Sequence, residues 1–552
     1  MGDVAMVQAA RNDGVPVRTP AAEPLPRGSV WGFGAVLLYL LAFALFAKLE
    51  NLLSLLPDDA SYYFRIGQNL ALGYGASFDR ITATNGYQPL WTLLVAAGHW
   101  LFRGEPETMV RVFLVAQVFL LAGAALLLDR ILRRLFAAPL RALAGILFVY
   151  LVVMHSFNGM ESPLLHFTVA LAFHEAWHRR TFTRDAPGPA LVMGVLLGLL
   201  VLARLDTVFL VLVLFGIAFV RTLVRRRRAA LVALLAMGGG FLVLTAPYLI
   251  MNLARFEHLM PISGALKTSF PRPLLSSSAL AALSKREWIY LAAALAALAG
   301  MALPAWRRAG GDLDRRRYRQ ALAVIAAGVW LHFLHEVLFM QWAVFAWHYT
   351  LYATLFILIL LEGLRVFAVR WHRAGGRRLA WALVLLIMAG TGLKVWQRTF
   401  ALRHDGNWMV NAYHAALWAR EHTPPAAAFA MKDAGIFGYF SKRSTMNLDG
   451  VVNDFSYQEV LADRCLCEHL RAKDVGYLVT PILKERGDVN CRQVATGVTG
   501  SIAAGEYGSL GFSFLSHLSG AYSDTLRVRR EDEVHTSRGR PGPVVAIWRL
   551  MP

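Results

Sequence analysis

The stretch that decides the fold reads VWGFGAVLLYLLAFALFAKLENLLSLLPDDASYYFR over residues 30–65. Its first part, residues 30–49, is an apolar run close to the roughly 20 residues that a helix needs to cross a bilayer. The run lacks the small-residue cleavage site of a secretory signal, so we predict a retained transmembrane helix. Two adjacent carboxylates, Asp58 and Asp59, follow soon after it. The stretch therefore predicts a membrane-embedded chain with acidic groups just beyond its first span.

The composition of the whole chain also indicates a membrane protein. Of its 552 residues, 57% are hydrophobic and 17% are charged, whereas soluble domains average about 45–50% apolar and about 25% charged residues. The formal net charge is +20, which is typical of proteins that contact nucleic acid or an anionic membrane, and the apolar content favours the membrane. Three cysteines without metal-ligand spacing argue against a disulfide scaffold and a structural zinc site.

About eleven apolar segments are predicted to be transmembrane helices. They are residues 30–49, 109–128, 142–157, 163–177, 190–203, 207–220, 229–252, 288–304, 321–340, 344–362 and 379–395. Arginine clusters separate alternate segments, and cytoplasmic loops are rich in Lys and Arg, so the amino terminus is predicted to be cytoplasmic. The same clusters account for most of the positive charge and remove the main support for nucleic-acid binding. Residues 89–102 are too few to cross and are predicted to lie in the membrane interface.

The predicted fold class is a polytopic α-helical membrane protein with a C-terminal extracytoplasmic α/β domain. Residues 1–29 are predicted to be a disordered cytoplasmic tail, and residues 30–397 the transmembrane domain. Its two informative outer loops are residues 50–108 and 251–287. Residues 398–552 are predicted to be the soluble α/β domain, with a helix over 408–422 and strands near 475–479 and 544–550.

The adjacent carboxylates Asp58 and Asp59 are the strongest candidates for chemistry. One Asp is enough to cap the helix that follows. Two carboxylates at the edge of a membrane repel each other and are costly to desolvate, which raises the pKa of at least one of them and suits acid–base catalysis. We therefore favour a functional role for the pair over capping alone.

Other charged residues lie at the predicted outer ends of apolar runs, where they face water or a protein cavity. Glu161, Arg204 and Asp206 are in this position, although the last two are explained equally well as an ion pair at a helix turn. The second outer loop adds Arg255 and Lys267. We predict that Lys267 is the best placed of these cations to face a phosphate.

Together these residues resemble the GT-C membrane glycosyltransferases. The motifs that carry the resemblance are DD at 58–59, TNGYQPLW at 84–91, NGME at 158–161, PISGALK at 261–267, DAG at 433–435 and NLDG at 447–450. The resemblance implies a GT-C-like fold and the transfer of a sugar from a polyprenyl-phosphate donor at the outer face of the membrane.

By this resemblance Asp58 is the catalytic base, with Asp59 as the fallback. A single displacement of this kind inverts the anomeric centre and needs no nucleotide-sugar site. Donor-phosphate or substrate binding is assigned to Lys267, Arg204, Arg255, His348, Tyr62, Glu161, Asn85 and Gln88. No metal ligands and no cofactor are assigned, and the use of a divalent cation stays open.

Two departures from the family pattern narrow the expected activity. Residues 204–206 read RLD where related chains often read Arg-Pro-Asp, and the WWDYG run of oligosaccharyltransferases is absent. We therefore expect transfer of a single sugar to an envelope glycan, lipid or protein. The expected location is the bacterial inner membrane, with the C-terminal domain periplasmic or extracellular.

Two other functions compete. Residues 174–178 read HEAWH, the HExxH zinc motif, and LDG at 448–450 completes the pattern of an intramembrane metalloprotease. The predicted topology places these two motifs on opposite sides of the membrane. A transporter of a lipid-linked or small anionic substrate is the second alternative. Transporters gather ionisable groups near the bilayer midplane, and here only His332, His335 and Glu336 lie within a span. We interpret these three as an interhelical hydrogen-bond set.

Overall fold

The computed structural model describes most of residues 27–550. The gaps are 180, 182–184, 276–279, 281–282, 303–312, 343–344, most of 371–406, 464 and short segments between 483 and 543. The predicted disordered tail lies almost wholly outside the described residues, and so does residue 398, where the predicted C-terminal domain begins.

Helices form the first two thirds of the chain. They are α1 (Arg27–Phe46), α2 (Leu49–Leu53), α3 (Asp58–Ala71), α4 (Pro89–Phe102), α5 (Pro106–Leu132), α6 (Ala138–Phe148), α7 (Ser162–Arg179), α8 (Pro187–Ala203), α9 (Val208–Arg225), α10 (Arg228–Phe256), α11 (Ile262–Lys267), α12 (Lys285–Ala302), α13 (Leu313–Phe339) and α14 (Thr350–Arg370). A π-helical turn extends α6, and short 3-10 turns precede α9 and α14. The first ten predicted spans each coincide with one of these helices. Most of the eleventh, residues 379–395, lies outside the described residues, so the count of eleven remains a prediction.

Six helical segments in the described part of the chain are long and apolar enough to cross a membrane. They are Pro106–Leu132, Ala138–Ser156, Leu205–Arg225, Arg228–Phe256, Leu313–Phe339 and Trp347–Arg365. The chain is therefore an integral membrane protein. Helix α4 has 14 residues and is about 21 Å long at 1.5 Å per residue, which is short of the roughly 30 Å hydrocarbon core.

Helices α8 and α10 pack closely because glycine lies at their contact. A Cβ atom at Gly194 would be 1.9 Å from the carbonyl oxygen of Met237, and one at Gly240 would be 2.3 Å from that of Leu191. Side chains at these positions would force the backbones apart. Small residues at a helix contact are typical of membrane bundles, where close van der Waals packing drives association.

A cavity of about 540 Å³ lies among α7, α8, α9 and α13. Its lining is apolar along most of its length, with residues such as Phe173, Leu197 and Leu214. Arg317 and Gln320 are its polar contributors, both in the first turns of α13. The bundle therefore contains an apolar space large enough for part of a lipid chain.

The C-terminal part is an α/β domain, as predicted. It contains α15 (Trp408–His422), β1 (Ala428–Met431), α16 (Gly435–Phe440), β2 (Ser444–Asn447), α17 (Ser456–Ala462), α18 (Leu466–Ala472), β3 (Val475–Ile482), β4 (Val489–Arg492), β5 (Val498–Ile502), β6 (Tyr507–Ser516), β7 (Gly520–Arg529), β8 (Glu533–Thr536) and β9 (Val544–Arg549). One sheet has the order β2-β1-β3-β9-β8, with β1 parallel to β2 and β3. Strands β4 to β7 form a second, antiparallel sheet. The predicted helix over 408–422 is α15, and the predicted strands are the antiparallel neighbours β3 and β9.

The segment between α1 and α5 holds this domain against the bundle. The guanidinium of Arg65 on α3 is fully buried and donates to the carbonyl oxygens of Phe78 and Arg443 at 3.3 and 2.9 Å. At Gly86 a Cβ atom would lie 1.9 Å from the carbonyl oxygen of Val451. The backbone of Gly86 therefore packs directly against that of Val451, and a side chain at residue 86 would not fit.

Candidate functional site

Asp58 is the first residue of α3 and binds the C-terminal domain. The N-cap of α3 is Pro57, which makes no side-chain cap hydrogen bond. Instead, Asp58 Oδ2 accepts a hydrogen bond from the Gly435 amide at 2.7 Å, and Oδ1 accepts one from the Ile436 amide at 2.8 Å. A Cβ atom at residue 435 would lie 2.2 Å from the Asp58 carbonyl oxygen. The carboxylate therefore caps α16 rather than its own helix, and this contact requires glycine.

The two adjacent carboxylates have different surroundings. Burial raises the pKa of Asp58 to about 8, against the lowering effect of its two amide donors, and the charges of Asp59 and Asp449 raise it further. Asp59 is half-buried, and its side chain makes no hydrogen bond or ion pair with the described residues. Asp58 is thus a structural contact as well as a titratable group, whereas Asp59 is available to a ligand.

A second pair of carboxylates lies beneath α3. Asp449 Oδ2 accepts hydrogen bonds from the Asp433 amide at 2.7 Å and from Asn447 Nδ2 at 3.1 Å. The Tyr62 hydroxyl accepts from the Ala434 amide at 3.1 Å and from Asn447 Nδ2 at 2.9 Å. Burial raises the pKa of both carboxyl groups, and the charge of Asp449 raises that of Asp433 further. Tyr62, a predicted substrate contact, therefore stabilises the turn that precedes α16 through its hydrogen bond with the Ala434 amide.

Glu161 and Arg204 are brought together at the other side of α3. Arg204 Nε lies 2.9 Å from Asp206 Oδ2 and 3.7 Å from Glu161 Oε1, and Nη1 donates to the Trp347 carbonyl oxygen at 2.7 Å. Burial raises the pKa of Glu161, and the charge of Arg204 opposes this. Tyr63 faces Glu161 from α3. Two carboxylates already neutralise the buried guanidinium of Arg204, one of the predicted phosphate ligands.

A row of ionisable residues continues from Asp206 to His348. His332 Nε2 lies 3.6 Å from Asp206 Oδ2 and 3.6 Å from Glu336 Oε1. Glu336 Oε1 lies 3.8 Å from His348 Nδ1. His332 Nδ1 also lies 2.7 Å from the Tyr352 hydroxyl. The residues that we interpreted as an interhelical set therefore continue into the candidate site.

The side chains of Asn85 and Gln88 position other segments. Asn85 Oδ1 accepts from the Ile262 amide at 2.9 Å, and its Nδ2 donates to Asn252 Oδ1 at 3.3 Å. Gln88 Oε1 accepts from the Leu205 amide at 2.9 Å. These bonds hold α11 and the turn at 204–206 in place. In this structure the side-chain oxygens of both residues accept hydrogen bonds from backbone amides.

Two predicted cations have no such partners. Lys267 ends α11, its carbonyl oxygen accepts from the Gln341 amide at 2.8 Å, and its ammonium lies within electrostatic range of His348. Among the described residues the Lys267 side chain makes no hydrogen bond or ion pair. Arg255 is exposed in the last turn of α10, near Tyr87, and is likewise unpaired within the described chain.

The structure thus places six of the predicted residues in two settings. Asp58 and Tyr62 contact the C-terminal domain, whereas Glu161, Arg204 and His348 lie in a buried polar group with Lys267 beside it. The sequence did not predict that the site also contains Tyr63, Glu336 and Tyr349. A signal existed for Glu336, since an ionisable residue within an apolar helix is a functional candidate by default. Tyr63 and Tyr349 gave no comparable signal.

The HExxH residues do not form a metal site in the described part of the chain. The rings of His174 and His178 are 4.2 Å apart between centroids, and Glu175 Oε2 pairs with Arg179 Nε at 2.6 Å. No group of three potential metal ligands occurs among the described residues. Asp449 of the LDG motif is bound within the C-terminal domain instead.

Comparisons with known proteins show the fold. Residues 404–517 match a family described as Domain of unknown function (DUF8728), and no curated protein gives a significant match. ArnT from Cupriavidus metallidurans, solved bound to undecaprenyl phosphate, is 14% identical, with a TM-score of 0.52 over 82% of this chain and 93% of that one. The Archaeoglobus fulgidus oligosaccharyltransferase, solved in the apo form, is 12% identical, with a TM-score of 0.49 over 82% of this chain and 69% of that one. The likeness to ArnT shows that the chain has the fold of the GT-C membrane glycosyltransferases, as predicted.

Proposed function

We propose that the protein is an inverting membrane glycosyltransferase that moves a single sugar from a polyprenyl-phosphate donor to a glycan, lipid or protein acceptor. One observation carries the proposal. An acidic pair at the start of α3 lies at the same end of a GT-C bundle as a buried polar group and Lys267, a cation without an ion-pair partner among the described residues. This combination supplies a base for an acceptor hydroxyl and a cation for a departing phosphate.

We propose Asp59, the second of the two predicted bases, as the base, and Asp58 as the residue that positions it. Two observations support this division. Both oxygens of Asp58 accept amide hydrogen bonds, and its side chain is buried. Asp59 is half-buried and makes no hydrogen bond within the described chain, so an acceptor hydroxyl can approach it. A general base must come within hydrogen-bond reach of the proton that it removes.

Lys267 is proposed to bind the donor phosphate. Arg255, which is more exposed to solvent, is proposed as a second contact to it. Arg204 is less suited because Asp206 and Glu161 already neutralise it. The apolar cavity of the bundle and the small polar pocket beside Arg204 share Leu210 in their linings. Their nearness supports a donor whose lipid chain lies in the apolar cavity of the bundle.

The reaction is then a single displacement. The acceptor oxygen attacks the anomeric carbon while Asp59 takes its proton. The bond between that carbon and the phosphate oxygen breaks, and the phosphate leaves with the electron pair, stabilised by Lys267. Attack opposite the leaving group inverts the anomeric centre. The proposed setting is the bacterial inner membrane, with a cytoplasmic amino terminus and the C-terminal domain outside.

The testing experiment is native mass spectrometry of the protein purified in mild detergent, with Asp59→Asn to stop turnover. We expect a copurified polyprenyl-phosphate sugar, and the mass of that lipid would report the sugar class. Asp59→Asn should abolish transfer to an envelope extract and leave the thermal unfolding midpoint unchanged. Asp58→Asn should lower both the transfer rate and the unfolding midpoint.

Two results would count against the proposal. Protein that stays free of lipid after incubation with polyprenyl phosphates would argue against the donor class. Substrate flux into vesicles that survives Asp59→Asn and Asp58→Asn would favour a transporter.

A further inference from the structure

The turn that precedes α16 presents a carboxyl group without a protein partner. The backbone amides of residues 433–436 all donate hydrogen bonds at 2.7 to 3.1 Å, and their acceptors are Asp449, Tyr62 and both oxygens of Asp58. The backbone of the turn is therefore fixed against α3. The side chain of Asp433 is only partly buried, and its carboxyl makes no hydrogen bond or ion pair within the described chain. This carboxyl is held near the acidic pair of α3 and is open to a ligand.

Aspartates that only shape a turn have a different environment in this protein. Asp79 Oδ1 accepts three hydrogen bonds from residues 77–82, at 2.7 to 3.0 Å. Asp454 Oδ1 accepts two from residues 456–457, at 2.8 and 3.1 Å. Asp433 makes no such bond, although its φ of +50° is in the left-handed region, which is unfavourable for any residue with a Cβ atom. The chain therefore holds an unfavourable backbone angle at a carboxyl that stabilises no turn.

Buried polar atoms without partners lie beside Asp433. Asn447 Oδ1, Asp449 Oδ1 and both polar side-chain atoms of Gln458 make no hydrogen bond within the described chain, and the three residues are 0%, 6% and 4% exposed. Asn447 Nδ2 donates to Asp449 Oδ2, which also accepts from the Asp433 amide. A Cβ atom at Gly450 would lie 2.5 Å from Gln458 Nε2, so the glutamine packs on the same turn. Because buried polar atoms are almost always hydrogen-bonded, these atoms point to the hydroxyl groups of a ligand.

The charges of this region decide which ligand it favours. Burial raises the pKa of Asp433, and the charges of Asp449, Asp58 and Asp59 raise it further, against the opposing charge of Lys432. Four carboxyl groups are thus close enough to repel one another. An anionic group bound among them would also be repelled at short range, whereas hydroxyl groups find carboxyl and amide partners. The region therefore favours a neutral ligand that is rich in hydroxyl groups.

We propose that Asp433 binds the acceptor through a hydroxyl group next to the one that Asp59 deprotonates, and that the acceptor is a neutral sugar. The C-terminal domain then contributes a residue to the acceptor site, in addition to its contact with Asp58. This inference rests on the proposed function and narrows it, because it selects a neutral glycan from the glycan, lipid and protein acceptors considered there.

The test first separates acceptor binding from folding. Asp433→Gly removes the carboxyl, and Asp474→Gly is the matched control, since Asp474 is an exposed residue of the same domain with a φ of +51°. Glycine adopts such angles without the steric cost of a Cβ atom. Both variants should therefore raise the unfolding midpoint of the full-length chain, by about 2–4 °C. A purely structural Asp433 would lower the midpoint when it is replaced.

Acceptor binding is measured by saturation-transfer NMR on the full-length chain in detergent. The neutral probes are the methyl glycosides of mannose, galactose and glucose, and the anionic probe is the methyl glycoside of glucuronic acid. We expect at least one neutral probe to bind and the glucuronoside to give no signal. Asp433→Gly should weaken that neutral probe about 2- to 10-fold, the effect of one hydrogen bond between neutral groups, whereas Asp474→Gly should leave it unchanged.

Three results would overturn the inference alone. They are equal binding by Asp433→Gly and Asp474→Gly, a midpoint of Asp433→Gly below that of the wild type, and a glucuronoside that binds as tightly as the neutral probes. Wild-type protein that copurifies with a polyprenyl-phosphate sugar but binds no neutral glycoside would also overturn it and would leave the proposed donor in place. Protein that binds neither the lipid nor any glycoside would reject the proposed function as well.

Discussion

Substitution of Gly435 by Ala tests the contact between Asp58 and the C-terminal domain without removing a functional group. The added methyl would lie 2.2 Å from the Asp58 carbonyl oxygen and 2.8 Å from its Oδ2. The first of these atoms belongs to the backbone, so a rotamer change cannot relieve the clash. Helix α16 must therefore move away from α3, and the two amide hydrogen bonds to the carboxylate at 2.7 and 2.8 Å must lengthen or break.

The expected loss follows from these two bonds. With a pKa of about 8, the Asp58 carboxyl is protonated at neutral pH. A hydrogen bond between neutral groups is worth about 0.5–1.5 kcal/mol, so two of them give about 1–3 kcal/mol. For a domain of this size, 1 kcal/mol shifts the unfolding midpoint by about 2–4 °C, so we expect the midpoint of Gly435→Ala to fall by about 2–12 °C at neutral pH.

The assay is thermal unfolding in detergent, followed by tryptophan fluorescence. Gly476→Ala is the matched control, since it lies in the same domain and an added Cβ atom there has nothing within 4 Å. A Gly435→Ala midpoint within error of the Gly476→Ala midpoint would refute the argument that Asp58 and α16 hold the domain in place.

Four further outcomes are expected. Gly240→Ala should disrupt the contact of α8 with α10 and lower the unfolding midpoint, whereas Gly239→Ala, which has open space, should not; equal midpoints would contradict the packing argument. Arg204→Lys should destabilise by about 3 kcal/mol in denaturant titration, since one ammonium cannot serve both carboxylates and the carbonyl; a loss below about 1 kcal/mol would show that the fork is dispensable. Because the folded pKa of Asp58 is raised from 3.8 to about 8, its contribution is fully present below pH 4 and is lost as the pH rises through 8; Asp58→Asn should flatten the pH dependence of unfolding in that window, and an unchanged slope would contradict the assigned pKa. His174→Ala should alter neither bound zinc nor sugar transfer, and stoichiometric zinc that disappears in this variant would revive the protease hypothesis.

Much of the architecture could be predicted from the sequence because it depends on local pattern. Apolar length locates the helices, and the α15 boundaries follow from the prolines after residue 422. The antiparallel pairing of β3 with β9 could not be predicted, because their partners lie more than 60 residues apart and no local signal reports the register.

The candidate site was only partly predictable for the same reason. The pattern of residues 57–65 indicated that Asp58 and Asp59 were important, but not which of them is bound by the C-terminal domain. That difference depends on α16, because the sequence does not indicate which side chain its backbone amides contact. Likewise, Arg204 was identified as a cation, yet its neutralisation by Glu161 depends on how α7 and α8 pack. Spacing along the chain predicts residue types at a site, and tertiary contacts decide their charge state and accessibility.

The hydrogen bonds between Asp58 and the C-terminal domain also have a consequence for the synthesis of the protein. The two amides that bind its carboxylate belong to residues 377 and 378 positions later in the chain. During synthesis, therefore, the acidic pair emerges and the bundle can assemble long before its final environment exists. A partly synthesised chain holds Asp58 without its partners, and the site is completed only when the last quarter of the polypeptide has folded onto α3. Formation of this contact is therefore tied to synthesis of residues 435 and 436, and premature termination anywhere before residue 435 leaves a membrane protein without it.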